Sequence, residues 1–206
     1  AELRDQVKAI DALEKHAIEF HYVEGDITPM DPKDGLDELA KVLGLPKTPR
    51  VIEGVDIAHL QGAEAVGSLV SFVDGVPFKS GYRRFRVKIA EGGDDCASIH
   101  EVVKRRFTRL KDEEQVAPEV LLIDGGPGQL RAAAEALAAT GGTSLLMSLA
   151  KKEEILYRWN DRAQRVQLDK AAPALRLMMY VRDEAHRFAQ HYHHVLRRKA
   201  LMGDEE

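Results

Sequence analysis

"EVLLIDGGPGQLRAAAEALAAT", residues 119–140, joins a continuous apolar run to an alanine-rich segment through a glycine-rich turn. The run EVLLID is typical of a strand that is buried on both faces of a sheet. The glycines allow a tight turn, and alanine is the strongest helix former. We therefore predict a strand over 119–124 that leads directly into a helix, as in a sheet covered by helices.

Three stretches before this unit have the length and composition of strands: 51–57, 65–75 and 76–88. The pair Asp74-Gly75 between the second and third predicts a hairpin turn. The turn at 91–95 then opens a helix that runs through about Leu110.

After the opening stretch, SLLMSLA (144–150) predicts another buried strand. The segments EEILYRW and RVQLD alternate and predict a hairpin across NDRAQ (160–164), and Pro173 begins a helix to about residue 199. The order β-β-β-α-β-α-β, a small hairpin and a last helix predicts an α/β fold with a mixed sheet flanked by helices.

The N-terminal part has a different pattern. Apolar residues at helical spacing predict a helix over 1–20, and 21–35 is rich in Gly, Pro and Asp, as in a linker. A short helix follows and ends at Gly44. We expect a linker and short helix over 21–48, a main domain over 49–200 and an acidic tail at 201–206.

The composition is that of a cytoplasmic protein. The single cysteine, Cys96, excludes an internal disulfide, and no apolar run approaches the roughly 20 residues that a membrane helix needs. The charged N-terminus lacks the apolar core of a signal peptide. The net charge is −4, but KSGYRRFRVK (79–88) and KRRFTRLK (104–111) each hold five basic residues. Each run alone is more simply a solvated face than a nucleic-acid contact.

Two acids lie inside apolar strands. Asp56 interrupts VIEGVDIAHL, and Asp124 ends VLLID directly before two glycines. A buried carboxylate is costly unless it is paired or binds a metal, and oxygen ligands suit Mg²⁺ or Mn²⁺. If the strands 51–57 and 119–124 are neighbours, the two acids could meet at one cation site; otherwise they are separate, solvated strand ends.

Asp94 and Asp95 precede a predicted helix. The simpler interpretation is that one of them caps the helix by accepting backbone N–H bonds. The alternative is a third carboxylate beside the cation, and one residue could serve each role.

The stretch RDEAHRFAQHYHH (182–194) holds four of the eight histidines. Helical spacing places His186 at the border of the apolar face, with Asp183 one turn earlier. Zinc binding is disfavoured because the spacings do not make a tetrahedral set, and His191, His193 and His194 are more simply surface residues. The letters DEAH do not indicate a helicase, because the chain has no phosphate loop.

Seven blocks resemble one family in order and at compatible spacing: LGLPKTPRVIEGVDIAHLQG, YRRF, GDD, LLIDGGPGQL, LAKKEE, APALRLM and RDEAHRFAQHYH. The family is the C-terminal endonuclease half of UvrC, the excision-nuclease subunit of bacterial nucleotide excision repair. The resemblance covers about residues 43–200 and implies a ribonuclease H-like fold. Alanine stands at position 58, where the family commonly has serine.

The resemblance also implies a site and its partners. The family's essential residues fall on Asp56, Asp95, Asp124 and His186, with Mg²⁺ or Mn²⁺ as cofactor and incision of damaged double-stranded DNA on the 5′ side of a lesion as the reaction. His186 is either a metal ligand beside Asp56 and Asp124 or a proton-transfer group. Residues 1–10 resemble the tail of the UVR motif, which binds UvrB, downstream of UvrA in the full-length protein.

The basic runs and the resemblance suggest residues that contact DNA: Lys79, Tyr82, Arg83, Arg84, Arg105, Arg106 and Lys151. Tyr82 could stack on a base, although a core tyrosine fits the sequence equally well. Two other functions stay open: a catalytically inert ribonuclease H-like module that binds DNA or a partner, and a ribonuclease H that cleaves RNA–DNA hybrids.

Overall fold

The computed structural model describes residues 31–59, 65–88, 94–151 and 154–202, with side chains up to residue 190. The helix expected over 1–20, the first part of the linker and all but the first two residues of the acidic tail lie outside the described residues. The side chains of three predicted surface residues also lie outside the described part of the chain: His191, His193 and His194.

The elements follow one another in this order: α1 (Pro32–Leu43), β1 (Val51–His59), β2 (Ala65–Val73), β3 (Val76–Pro77), a 3-10 turn (Lys79–Gly81), β4 (Arg83–Arg86), α2 (Asp95–Asp112), β5 (Val120–Asp124), α3 (Pro127–Thr140), β6 (Leu145–Ala150), β7 (Ile155–Asn160), β8 (Arg162–Arg165) and α4 (Pro173–Met202).

All the strands form one mixed sheet. Its order is β3-β2-β1-β5-β6-β7-β8, and β4 also pairs with β2. The pairs β1–β5 and β5–β6 are parallel, whereas the remaining pairs are antiparallel. The predicted mixed α/β sheet and its order of elements are therefore confirmed.

Some boundaries differ from the prediction for local reasons. The third predicted strand is two strands, β3 and β4, separated by the 3-10 turn. The β7–β8 hairpin is tighter than expected, because Asn160 pairs with Arg162 around Asp161, whose φ is 57°. The helix α1 begins within the predicted linker because the side chain of Asp31 accepts a bond from the Lys33 amide at its start.

Within the described residues, two helices cover each face of the sheet. Alternation along β1 sends Ile52 into a core with α1 and α4, and Val55 into a second core with α2 and α3. Leu39 of α1 is fully buried in the first core, so α1 packs with the sheet rather than apart from it. Within the described residues, no helix is long and apolar enough to cross a bilayer.

The close approach of α4 to the sheet depends on Gly54 in the middle of β1. A Cβ atom at Gly54 would lie 2.7 Å from Val181 Cγ1 of α4 and 3.2 Å from Val70 Cγ2 of β2. The helix α4 therefore packs directly against the backbone of β1 at Gly54. Two residues further along β1, on the same face, is Asp56.

We predict that Gly54→Ala lowers the free energy of unfolding by about 1–3 kcal/mol, because the added methyl group overpacks the contact with Val181. Urea unfolding followed by circular dichroism measures the change. Gly128→Ala is the control, since its Cβ would meet only Cys96 Sγ at an ordinary 3.8 Å. Equal stability of Gly54→Ala and the wild type would show that α4 does not need this close approach.

Candidate metal centre

The parallel pairing of β1 with β5 brings the two strand acids together. Val55 pairs with Ile123 in the ladder, so Asp56 and Asp124 are the next residues on adjacent strands. Asp124 ends β5, and Asp56 follows the last residue of β1 that pairs with β5, so both lie at the carboxyl end of the parallel ladder, where open α/β sheets place ligands. The condition that the sequence left open, that these strands are neighbours, is met.

The third member comes from α4. His186 Nδ1 lies 3.6 Å from Asp56 Oδ2. Asp56, Asp124 and His186 each offer one ligand atom, and these three atoms lie within 4.8 Å of one another. We call these three residues the DDH cluster. The elements α4, β1 and β5 thus bring three ligand atoms close enough together to bind one cation.

Burial and repulsion make the Asp56 carboxylate unfavourable without a cation. Asp56 is only 7% exposed. Desolvation, followed by the charge of Asp124, raises the pKa of Asp56 to about 6, although His186 and Lys151 oppose the shift. Burial also raises the pKa of Asp124, against the nearby charges of Lys151, Arg182 and His186.

The side chains of the DDH cluster fit a divalent cation. Asp56 Oδ2 and His186 Nδ1 are buried, and neither has a hydrogen-bond partner among the residues that the structure describes. Buried polar atoms normally have a partner, so these two are suited to a ligand. Two carboxylates are the ligands that Mg²⁺ and Mn²⁺ prefer.

The ring of His186 is oriented by Gln190, one turn further along α4. The Gln190 amide nitrogen lies 2.9 Å from His186 Nε2. With that nitrogen donating, Nε2 accepts and the neutral ring carries its proton on Nδ1, which faces Asp56. With the amide flipped, the proton moves to Nε2 and the Nδ1 lone pair faces the cluster. The contact with Gln190 is therefore compatible with a His186 that gives a proton and with one that binds a cation.

Asp95 is outside the DDH cluster. Its Oδ1 lies 2.6 Å from His59 Nε2, and both side chains are roughly half exposed. Asp94 caps α2 by accepting from the Ala97 amide, so the expectation that one of the two acids is an N-cap is confirmed. The sequence did not single out His59, although it stands three residues after Asp56 in the block DIAH.

Two cations lie near the acids of the cluster. Lys151, a predicted DNA contact, is exposed at the end of β6, and its charge acts on both aspartates. Arg182 was not predicted; it is 9% exposed and binds Asp183 through Nη2 at 2.7 Å. Asp183, which the sequence placed one turn before His186, therefore contacts Arg182.

The side chains of the predicted DNA contacts around β4 differ in how exposed they are. Lys79 and Arg84 are exposed, and the Arg84 guanidinium lies 4.0 Å from the centre of the Phe188 ring. Arg83 donates to the carbonyls of Ser80 and Tyr82.

Tyr82 belongs to the packing between β4 and α4. Its hydroxyl donates to Glu184 Oε1 at 2.7 Å, and its ring meets Phe188 edge-on. Burial, followed by the bond to Glu184, raises the pKa of Tyr82. The structure thus favours the core interpretation of Tyr82 over base stacking.

The proposed DNA contact at Arg106 is wrong. Its guanidinium makes a bidentate pair with Glu53 of β1, at 2.6 and 3.1 Å, and both residues are buried. The neighbouring Arg105 donates to Glu101 and to the carbonyl of Arg86, and it remains partly exposed. The second basic run therefore supplies structural ion pairs as well as surface charge.

We predict that Asp56→Asn stabilises the metal-free protein above pH 6 and not at pH 4. A folded-state pKa near 6, above the unfolded value near 4, means that stability falls as the pH rises through this window. The free energies of unfolding of Asp56→Asn and of the wild type should differ by about 2–3 kcal/mol at pH 7.5. Urea unfolding in a chelator at several pH values measures this, and a pH-independent difference would contradict the raised pKa.

Comparison with known proteins assigns the chain to a family. Residues 40–190 match the family model of the UvrC RNase H endonuclease domain. The chain is 46% identical over 170 residues to UvrABC system protein C of Solibacter usitatus, covering 82% of this chain and 27% of the relative. It is 48% identical over 156 residues to the same protein of Koribacter versatilis, covering 75% and 26%.

The chain spans about a quarter of the length of these relatives. Among solved structures it is similar to the catalytic domain of human endonuclease V, with a TM-score of 0.44, 14% identity, and coverage of 93% of this chain and 98% of that one. The family model covers most of the chain, and the relatives are well above 40% identical: the chain belongs to the UvrC RNase H endonuclease domain family.

Proposed function

We propose that the chain is the endonuclease part of a UvrC protein and cuts damaged double-stranded DNA on the 5′ side of a lesion in nucleotide excision repair, in the cytoplasm. The observation that carries the proposal is the DDH cluster, which combines two carboxylates and an imidazole within 4.8 Å. Family membership supports the choice of nuclease chemistry, since the matching model is that of an endonuclease domain.

We further propose that Asp56, Asp124 and His186 hold Mg²⁺ or Mn²⁺. Bound there, such a cation would lower the pKa of a water ligand and stabilise negative charge on the phosphate. The buried, unpaired Asp56 Oδ2 supports this site, because a cation would relieve both its desolvation and its repulsion from Asp124.

The residues around the cation then have separate tasks. Asp56 and Asp124 would hold the cation, which would supply positive charge to the scissile phosphate, and Lys151 adds a positive charge at the same edge of the sheet. His186 either completes the coordination or moves a proton between its Nδ1 and the attacking or leaving oxygen. Asp95, with His59, would act from a second position beside the cluster rather than within it.

DNA binding is assigned to the exposed cations near the cluster. Asp56 pairs with Ser68 across β1 and β2, and Ser68 pairs with Arg84 across β2 and β4, so one row of residues leads from the cluster to Arg84. The phosphates that flank the scissile bond would be bound by Arg84 and Lys79 on this side of the cluster and by Lys151 on the other side. In a complete UvrC protein, UvrB, loaded by UvrA, would deliver the lesion.

We predict that Asp56→Asn and Asp124→Asn each reduce Mn²⁺-dependent nicking by at least about a hundredfold, because each removes a charge that binds the cation. The assay uses a damaged duplex, the matching undamaged duplex and an RNA–DNA hybrid, with and without UvrA and UvrB. Glu135→Gln, which alters an exposed acid on α3, is the control and should keep full activity.

Three results would contradict this function. Undiminished nicking by Asp56→Asn would show that the DDH cluster does not take part in catalysis. Preferential cleavage of the hybrid would identify a ribonuclease H, and binding without any cleavage would identify an inert module. For His186→Ala, recovery of nicking with added imidazole would assign proton transfer, whereas a weakened Mn²⁺ affinity would assign ligation.

We also predict that Arg84→Ala weakens binding of the DNA duplex and lowers the slope of log affinity against log salt by about 0.9, the loss of one phosphate contact. Fluorescence anisotropy at several salt concentrations measures both quantities. Arg131→Ala is the matched control, because Arg131 is an exposed arginine on α3, on the opposite face of the sheet. Equal slopes for Arg84→Ala and the wild type would place the DNA elsewhere.

A further inference from the structure

The hydroxyl of Ser68 is buried beside the DDH cluster. Ser68 on β2 is the direct partner of Asp56 on β1, and it is 0% exposed. Directly opposite side chains of an antiparallel pair project from the same face, with their Cβ atoms roughly 4.5–5.5 Å apart. In the part of the chain that the structure describes, neither Ser68 Oγ nor Asp56 Oδ2 has a hydrogen-bond partner.

The other neighbours of Ser68 in the sheet offer no side-chain acceptor: its partner on β4 is Arg84, whose guanidinium can only donate. Val66 and Val70 precede and follow it on the same face of β2, and both are buried. A buried hydroxyl without a partner is unfavourable, whereas alanine or valine at this position would carry no such cost. Asp56 is the direct partner of Ser68 across the β1–β2 ladder, and its carboxylate is a group that could accept the proton of the hydroxyl.

We propose that Ser68 is a positioning residue for Asp56: its hydroxyl donates to the Asp56 carboxylate and fixes the rotation of that group for metal binding. The inference rests on the proposed metal-dependent function. A carboxylate has two oxygens, so a donor on one of them leaves the other directed at the cation. Such outer partners of metal ligands typically change metal affinity by about 10- to 100-fold.

The matched control is Ser148 on β6. It is also 0% exposed, and its Oγ also has no partner within the described residues. Ser148 pairs with Ile123, which packs in the core with α2 and α3, so its side chain lies on the opposite face from Asp56. Ser148→Ala therefore removes an equivalent buried hydroxyl away from the cluster.

The experiment is a Mn²⁺ titration of the 206-residue chain, with free Mn²⁺ measured by electron paramagnetic resonance. The variants are Ser68→Ala, Ser68→Cys, Ser148→Ala and Asp56→Asn, each checked for folding by circular dichroism. Cysteine fills the space of serine but is a weak donor. We expect both Ser68 variants to raise the Mn²⁺ Kd by about tenfold, Ser148→Ala to leave it unchanged, and Asp56→Asn to abolish binding.

A second readout separates positioning from packing. In nicking assays, the Ser68 variants should need more Mn²⁺ but approach the wild-type rate when Mn²⁺ is saturating. The proposal is overturned if Ser68→Ala and Ser68→Cys bind Mn²⁺ as the wild type does, or if only Ser68→Ala is weakened, which would show a packing role. If Asp56→Asn binds Mn²⁺ as well as the wild type, the metal site itself is wrong, which is a separate failure.

Discussion

The site depends on one pairing, the parallel ladder between β1 and β5. These strands are buried on both faces, and the ladder ends with Asp56 and Asp124 side by side. Burial raises the pKa of both carboxyl groups, and the charge of Asp124 adds to the shift at Asp56. The fold thus maintains an unfavourable charge arrangement that a divalent cation would relieve, and such arrangements are characteristic of functional sites.

The remaining elements hold the third ligand over this pair. Gly54 lets α4 lie on the backbone of β1, and the same helix carries His186 five residues beyond the contact at Val181. The hydroxyl of Tyr82, directly before β4, donates to Glu184 of α4, and Arg187 of the same helix also donates to Glu184. The position of His186 is therefore set by packing along α4 rather than by a flexible loop.

The sequence predicted most of the fold because its apolar runs and turns are local signals. The strand, glycine turn and helix of residues 119–140 and the Asp74-Gly75 hairpin follow directly from those signals, and positive φ angles at Asp74 and Gly75 agree with the turn. It also identified the three members of the DDH cluster, two from acids inside strands and one from a helix border supported by family resemblance.

The prediction failed where side-chain partners come from distant segments. Arg106 looked like part of a basic surface run, yet it pairs with Glu53, fifty-three residues earlier. Its helical spacing from Val102 and Leu110, both buried, was the available signal that it faces the core. The contact between Asp95 and His59 joins a helix start to a strand end, and no local pattern indicates that contact.

The most direct test is the crystal structure of the chain soaked in Mn²⁺, with the ion located by anomalous scattering. We expect one strong peak between Asp56, Asp124 and His186, at coordination distance from at least the two carboxylates, and no such peak in Asp56→Asn. A peak at His59 and Asp95 instead, or a DDH cluster that stays without Mn²⁺ at saturating concentration, would contradict this expectation.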